Sequence, residues 1–119
     1  MENNKAEDLD GLSLSVVIPA FNEEGGIRET IEEVQAALAE MQVPTEIIVV
    51  DDGSEDDTRG EAAKAGVRVE ANPFNIGYGA ALKRGIRAAK HEYVAILDAD
   101  RTYPARFLPG MLALARDYD

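Results

Sequence analysis

Two acidic pairs stand where an apolar run gives way to a polar turn. Asp51-Asp52-Gly53-Ser54 follows Glu46–Val50 (EIIVV), and Asp98-Ala99-Asp100 follows Tyr93–Leu97 (YVAIL). Turn geometry and helix capping account for one aspartate and a glycine in such a place. Two adjacent carboxylates opposite a second acidic strand end exceed what capping needs. In Asp98-Ala99-Asp100, alternation along an extended chain points both carboxylates the same way. Paired hard oxygens suit Mg²⁺ or Mn²⁺, which keep other positions for water or substrate phosphates. A divalent ion there would relieve the local negative charge and neutralise a diphosphate leaving group. Asp98 and Asp100 are therefore the candidate metal ligands and catalytic residues.

Other groups offer less. Gly77-Tyr78-Gly79 lacks the spacing of a dinucleotide fingerprint: Leu82 holds its sixth position, and Pro73-Phe74-Asn75 separates it from the preceding strand. Those glycines suit close approach to a neighbouring loop or a ligand. Lys83 and Arg84 follow one turn later, placed either to meet a phosphate or base or to serve as plain surface charge. His91, between Lys90 and Glu92, fits a solvated junction, and a single His so placed assembles no Ser/His/Asp arrangement.

These groups need a scaffold, and the pattern supplies one. Apolar, partly alternating runs over Leu12–Ile18, Glu46–Val50, Val67–Ala71 and Tyr93–Leu97 predict four strands, several buried on both faces. Between them, Ile27, Ile31, Val34, Leu38 and Met41 mark an amphipathic helix over Glu24–Glu40. Ser54, with Asp57 in place of the usual Glu or Gln, resembles a capping box for a second helix ending at Gly66. Tyr78, Ala81, Leu82, Gly85, Ile86 and Ala89 predict a third, and Pro104 starts a fourth with Phe107, Leu108, Met111, Leu112 and Ala115 on one side. Strands alternating with helices imply a three-layer α/β/α fold on a mostly parallel sheet, with ligands beyond the strands' carboxyl ends.

Composition narrows the functions. The 119 residues allow one domain, divided here into an acidic flexible tail over 1–11 and a folded portion over 12–119. With 23 Asp+Glu against 12 Lys+Arg the net charge is −11, which repels nucleic-acid backbones and argues against such a partner. Zero cysteines exclude a thiolate metal site, a disulfide scaffold and a cysteine nucleophile. No run approaches the ~20 apolar residues of a membrane span.

Taken in order, Val17-Ile18-Pro19-Ala20-Phe21-Asn22-Glu23-Glu24, Val49-Val50-Asp51-Asp52-Gly53-Ser54, Asn75-Ile76-Gly77-Tyr78-Gly79-Ala80-Ala81-Leu82-Lys83 and Asp98-Ala99-Asp100 resemble the family 2 glycosyltransferases of GT-A fold. The resemblance is greatest to the branch of dolichyl- and undecaprenyl-phosphate sugar transferases. It implies a nucleotide-diphosphate sugar donor (GDP- or UDP-linked), a divalent metal and transfer with inversion. Pro19, Phe21 and Glu23 would touch the nucleoside, and Glu23 the ribose. Asp52 would hydrogen-bond the base with support from Asp51, and Gly77 and Lys83 would face the nucleotide. Asp98 and Ala99 would border the sugar, with Asp100 as the main metal contact.

Arg101-Thr102-Tyr103-Pro104 departs from the Leu-Gln-His-Pro that usually follows the metal motif, which leaves sugar and acceptor open. The resemblance also implies that this chain is the nucleotide-sugar half, truncated or a fragment, without the acceptor site and the usual catalytic base. An ionised lipid phosphate would need no such base. Self-association through apolar surface where another half should pack is expected. So is a cytoplasmic location, with a peripheral place on the membrane's cytoplasmic face as a further option. Two rivals come from other classes: a non-catalytic nucleotide-binding module, and a phospho-receiver domain, whose acidic pair would follow the first strand rather than the second.

Overall fold

The computed structural model describes residues 9–100 and 104–118. The elements run β1 (Leu14–Ala20), α1 (Ile27–Ala39), β2 (Thr45–Asp52), α2 (Thr58–Lys64), β3 (Arg68–Asn72), α3 (Tyr78–Ala88) and β4 (Tyr93–Ile96). A single 3-10 turn over Ala105–Phe107 then leads into α4 (Leu108–Tyr118). All strand pairs are parallel, in the order β3-β2-β1-β4. Parallel strands need crossover connections, and here a helix joins each strand to the next in sequence. The receiver reading fails here, because that fold places β1 between β2 and β3.

Register decides what each face carries. Val16 pairs with Ile47 and Ala95, and Val17 with Ile48 and Ile96. Leu14, Val16, Ile18, Ile47 and Val49 therefore share one face, packed beneath Ile27, Ile31, Val34 and Leu38 of α1, Ala62 of α2, and Leu108 and Leu112 of α4. The opposite face holds Val17, Ile48 and Val50 against Ala81 of α3. There, Gly85 makes the seating possible. A Cβ on it would lie 2.4 Å from Cγ1 of Val17, so only glycine lets the helix approach the sheet this closely.

Several expectations change. Leu9 is buried in the core and its carbonyl accepts from the Leu12 N–H, so packing begins before residue 12. The rest of the expected tail, residues 1–8, lies outside the described residues, as do Arg101-Thr102-Tyr103. β2 extends through Asp51 and Asp52, which are buried strand residues rather than turn residues. Ser54 caps nothing: α2 starts at Thr58, with no side-chain cap. β4 is an edge strand whose Val94 and Ile96 are each 38% exposed, because no helix among the described residues covers that part of the second face. For the same reason Tyr78 and Ile86 of the α3 stripe are exposed. On α4, Leu108 and Leu112 are buried while Met111 is exposed, as is Phe107 of the 3-10 turn before it. Among the described residues, no helix is long and apolar enough to cross a membrane.

Candidate functional site at the carboxyl ends of the strands

β1 lies between β2 and β4, while the connection from β3 to β4 crosses to the other face through α3. The strand order reverses at β1, and crevices in open α/β sheets form at such points. Here the carboxyl end of β1 (Pro19, Ala20, Phe21), Asp52 from the end of β2, and Asn75, Gly77, Tyr78 and Ala81 from the start of α3 line a cleft of about 210 Å³.

Asp52 sets the shape of that cleft. Its Oδ1 accepts from Asn72 Nδ2 at 2.8 Å and from the Ile76 N–H at 3.0 Å, and its Oδ2 accepts from the Gly77 N–H at 2.9 Å. Burial works against its charge, but the bonds from Ile76, Asn72 and Gly77 prevail and hold its carboxyl below the usual carboxylate range. Arg84 supports the network through Nη1 to Asn72 Oδ1, 2.9 Å, and Nε to Glu70 Oε1, 3.3 Å. The carboxylate expected to read a base is thus also the clamp on the loop before α3.

Gly53 completes the clamp. It has φ +73°, and a Cβ on it would meet the carbonyl carbon of Phe74 at 2.2 Å. Backbone runs against backbone there, which only glycine permits.

A second set of bonds ties the β1–α1 loop to the β2–α2 loop. Asn22, in the left-handed region at φ +54°, donates its N–H to Ser54 Oγ at 2.8 Å and accepts from the Glu55 N–H at 2.9 Å. Glu23 donates its N–H to Thr58 Oγ1 at 2.8 Å. Asp51 accepts from the Ser54 N–H at 3.2 Å and keeps the turn tight.

Asp98 joins the cleft through Tyr78, whose hydroxyl donates to Oδ1 at 3.1 Å. Burial, that hydrogen bond and the carboxylate's charge all push the Tyr78 phenol above its ordinary pKa, so it stays a donor at neutral pH. Asp98 and Asp100 are both exposed, while Ala99 between them is buried and its carbonyl accepts from the Thr30 hydroxyl at 2.9 Å. The turn is therefore anchored at its middle, with the exposed Asp98 and Asp100 on either side of the buried Ala99. Two hard oxygen donors fit a magnesium-type ion that keeps positions for phosphate oxygens. Among the described residues, no group of three or more Asp, Glu or His closes a site by itself.

Of the residues singled out from sequence, Pro19, Phe21, Asp52 and Gly77 line the cleft, and Asp98 borders it. Glu23 and Asp51 brace its walls. Ala99 is packed into the core of the opposite face. Lys83 is not brought in: at 100° per residue it lies about 200° from buried Ala81 and from buried Gly85, on the outward side of α3. Tyr78, Asn72 and Asn75 were missed as site residues. In sequence Tyr78 reads as part of an apolar stripe, and the local hint of a site role is its place between two glycines at a helix start.

Known proteins place this geometry. The chain is 43% identical to a low-salt glycan biosynthesis hexosyltransferase of Haloferax volcanii, over 90% of this chain and 25% of that protein. It is 36% identical to an undecaprenyl-phosphate 4-deoxy-4-formamido-L-arabinose transferase of Pseudomonas savastanoi, over 89% of this chain and 34% of that one. Among solved structures it is similar to a Mycobacterium tuberculosis glucosyl-3-phosphoglycerate synthase in complex with Mn²⁺, uridine diphosphate and phosphoglyceric acid. The TM-score is 0.65 at 34% identity, over 75% of this chain and 33% of that one. The chain thus spans about a quarter to a third of the length of these relatives, and its sheet and helices are GT-A-like. The family model for glycosyl transferase family 2 matches residues 15–119, and with the strand order and the four motifs this places the chain in that family.

Proposed function

We propose that this chain forms the donor-binding part of an inverting glycosyltransferase that uses a nucleotide-diphosphate sugar, with a polyprenyl phosphate as acceptor. One observation carries the reading: the ends of β1 and β2, the start of α3 and the Asp98 turn meet around a single cleft. At about 210 Å³ the cleft is below the roughly 300–1,000 Å³ of a whole small-molecule site. It matches a nucleobase and part of a ribose, between Phe21 and the Asp52-held loop. The diphosphate and sugar would then extend over the exposed Asp98–Asp100 turn.

Within this reading the Asp98 and Asp100 carboxylates hold a divalent ion, as suits their hard oxygens. The Mycobacterium structure holds Mn²⁺ with uridine diphosphate. Such an ion supplies charge neutralisation for a departing nucleoside diphosphate. Tyr78 fixes the orientation of Asp98, and the clamped loop before α3 keeps the cleft in place before a donor arrives. An acceptor phosphate is ionised at neutral pH, so attack on the anomeric carbon requires no base from this chain. The relative from Pseudomonas savastanoi carries undecaprenyl phosphate in its name, which supports a lipid acceptor and with it a place at a membrane. The uncovered β4 edge, with Val94 and Ile96 exposed, supports pairing with a second copy or with further polypeptide.

Titration calorimetry with UDP- and GDP-sugars, with and without Mn²⁺, tests the reading. Metal-dependent binding that Asp98→Asn/Asp100→Asn weakens by an order of magnitude or more is expected. Absence of metal-dependent binding to every nucleotide sugar overturns it.

A further inference from the structure

Charge is segregated along this chain. Residues 71–91 contain no Asp or Glu but carry Lys83, Arg84, Arg87 and Lys90, in a protein of net charge −11. Helix geometry turns this run into a surface. With Ala81 and Gly85 against the sheet, Lys83 and Arg87 take the outward side of α3 and Arg84 the flank toward β3. Arg68 of β3 reaches across to the end of the same helix, its Nη1 donating to the Ala88 carbonyl at 3.1 Å. Between them lies a groove of about 520 Å³ lined by Arg68, Arg84, Arg87 and Ile76, with Glu70 as its acidic member.

Exposed apolar side chains stand beside these cations: Ile76, 50% exposed, in the groove, and Ile86, 47% exposed, one helical turn from Lys83. Basic residues mixed with protruding apolar ones on one surface are the chemistry of binding at a lipid headgroup layer. The acidic residues of α1 lie across the sheet, on the far face, so a flat partner touching α3 avoids them. A long flexible polyanion would reach past the patch and meet that acidic surface. The same loop, residues 72–78, has the cleft on one side (Asn75, Gly77, Tyr78) and the cationic groove on the other (Asn72, Ile76).

We propose that the outward face of α3, with the adjoining edge of β3, docks on an anionic lipid bilayer and brings the cleft to the headgroup layer. The inference deepens the lipid-phosphate reading above and is tested separately from it, since vesicle binding needs no nucleotide sugar.

The experiment is flotation of the 119-residue chain with vesicles of phosphatidylcholine alone or mixed with phosphatidylglycerol. At about 0.1 M salt, where screening extends about 10 Å, the chain floats with the anionic vesicles only, and at about 1 M it is released. Lys83→Gln/Arg87→Gln changes two exposed side chains on the outward side of α3, outside the cleft, and lowers partitioning roughly 25-fold, about fivefold per charge. The matched control Arg28→Gln/Lys64→Gln removes two cations from α1 and α2 and leaves partitioning unchanged. Circular dichroism shows that each variant is folded. No flotation, equal flotation on neutral vesicles, or equal loss in both variants overturns the proposal. So does tighter binding to poly(U) than to anionic vesicles. Failure of nucleotide-sugar binding with vesicle binding intact would remove the donor reading and leave this one standing.

Discussion

On one face of the sheet, α1, α2 and α4 bury Val16, Ile18 and Val49 almost completely; on the other, among the described residues, α3 alone covers Val17, Ile48 and Val50 and leaves Val94 and Ile96 half-open. The first face is thick, apolar within and acidic outside. The second is thin, closed at one point by a glycine and cationic outside. Stability and ligand chemistry are thus divided between the faces. The thick side holds the sheet together, while the thin side carries the loop and helix start that shape the cleft.

The largest effect should come from the thick face. Ile31→Ala truncates a fully buried side chain of α1 and should cost about 2–5 kcal/mol in urea denaturation, a large part of a small domain's stability. A cost below about 1 kcal/mol would mean that α1 does not carry the core. On the thin face, Gly85→Ala forces a methyl into Val17 and should cost about 1–3 kcal/mol. It should also speed hydrogen exchange at the Ile76 and Gly77 amides, because lifting α3 loosens their bonds to Asp52. Unchanged exchange would separate the seating of the helix from the clamp.

Asp52→Asn replaces an acceptor of three hydrogen bonds and should cost about 1–3 kcal/mol near neutral pH. The sign with pH follows from the lowered pKa. The charged form is favoured by folding, so the wild-type advantage is fully present well above the ordinary value of 3.8 and is lost as pH falls through the lower folded value. Denaturation of both proteins from neutral pH down to about 2 should show the gap narrowing on the acid side. A gap that widens there would contradict the clamp. The smallest effect belongs to the open part of the thin face: Val94→Thr should change stability by no more than about 0.5 kcal/mol. A loss of several times that would show the face to be covered in solution, and light scattering would tell whether a second copy covers it.

Much of the scaffold was legible in sequence because period is local. The four- and three-residue steps of Ile27, Ile31, Val34 and Leu38 identify α1, and the β-branched run at Ile47–Val50 identifies a central strand. The boundaries moved where polar residues continue a strand: Asp51 and Asp52 read as a turn but remain paired, with Ala71 and Asn72 beside them. β4 read as buried because YVAIL is apolar throughout. Its exposure depends on what lies next to it, which composition does not record. Tyr78 was misread for a similar reason: an aromatic at stripe spacing is usually core, and only the position of Asp98 across the cleft gives its hydroxyl a partner.

Order along the chain thus determined the alternation of strands and helices, the acidic strand ends, the resemblance to a transferase family and the acid-free run over 71–91. The tertiary structure decided which face each helix covers, that Asp52 spends both oxygens on the loop before α3, that Tyr78 rather than Lys83 turns toward the cleft, and that the basic run forms one surface opposite the acidic one. Periodicity and charge are properties of neighbouring residues and survive in a linear string. Burial, hydrogen-bond partnership and the facing of charges depend on segments that are distant in the chain and meet only after the crossover from β3 to β4 has set α3 on its own side of the sheet.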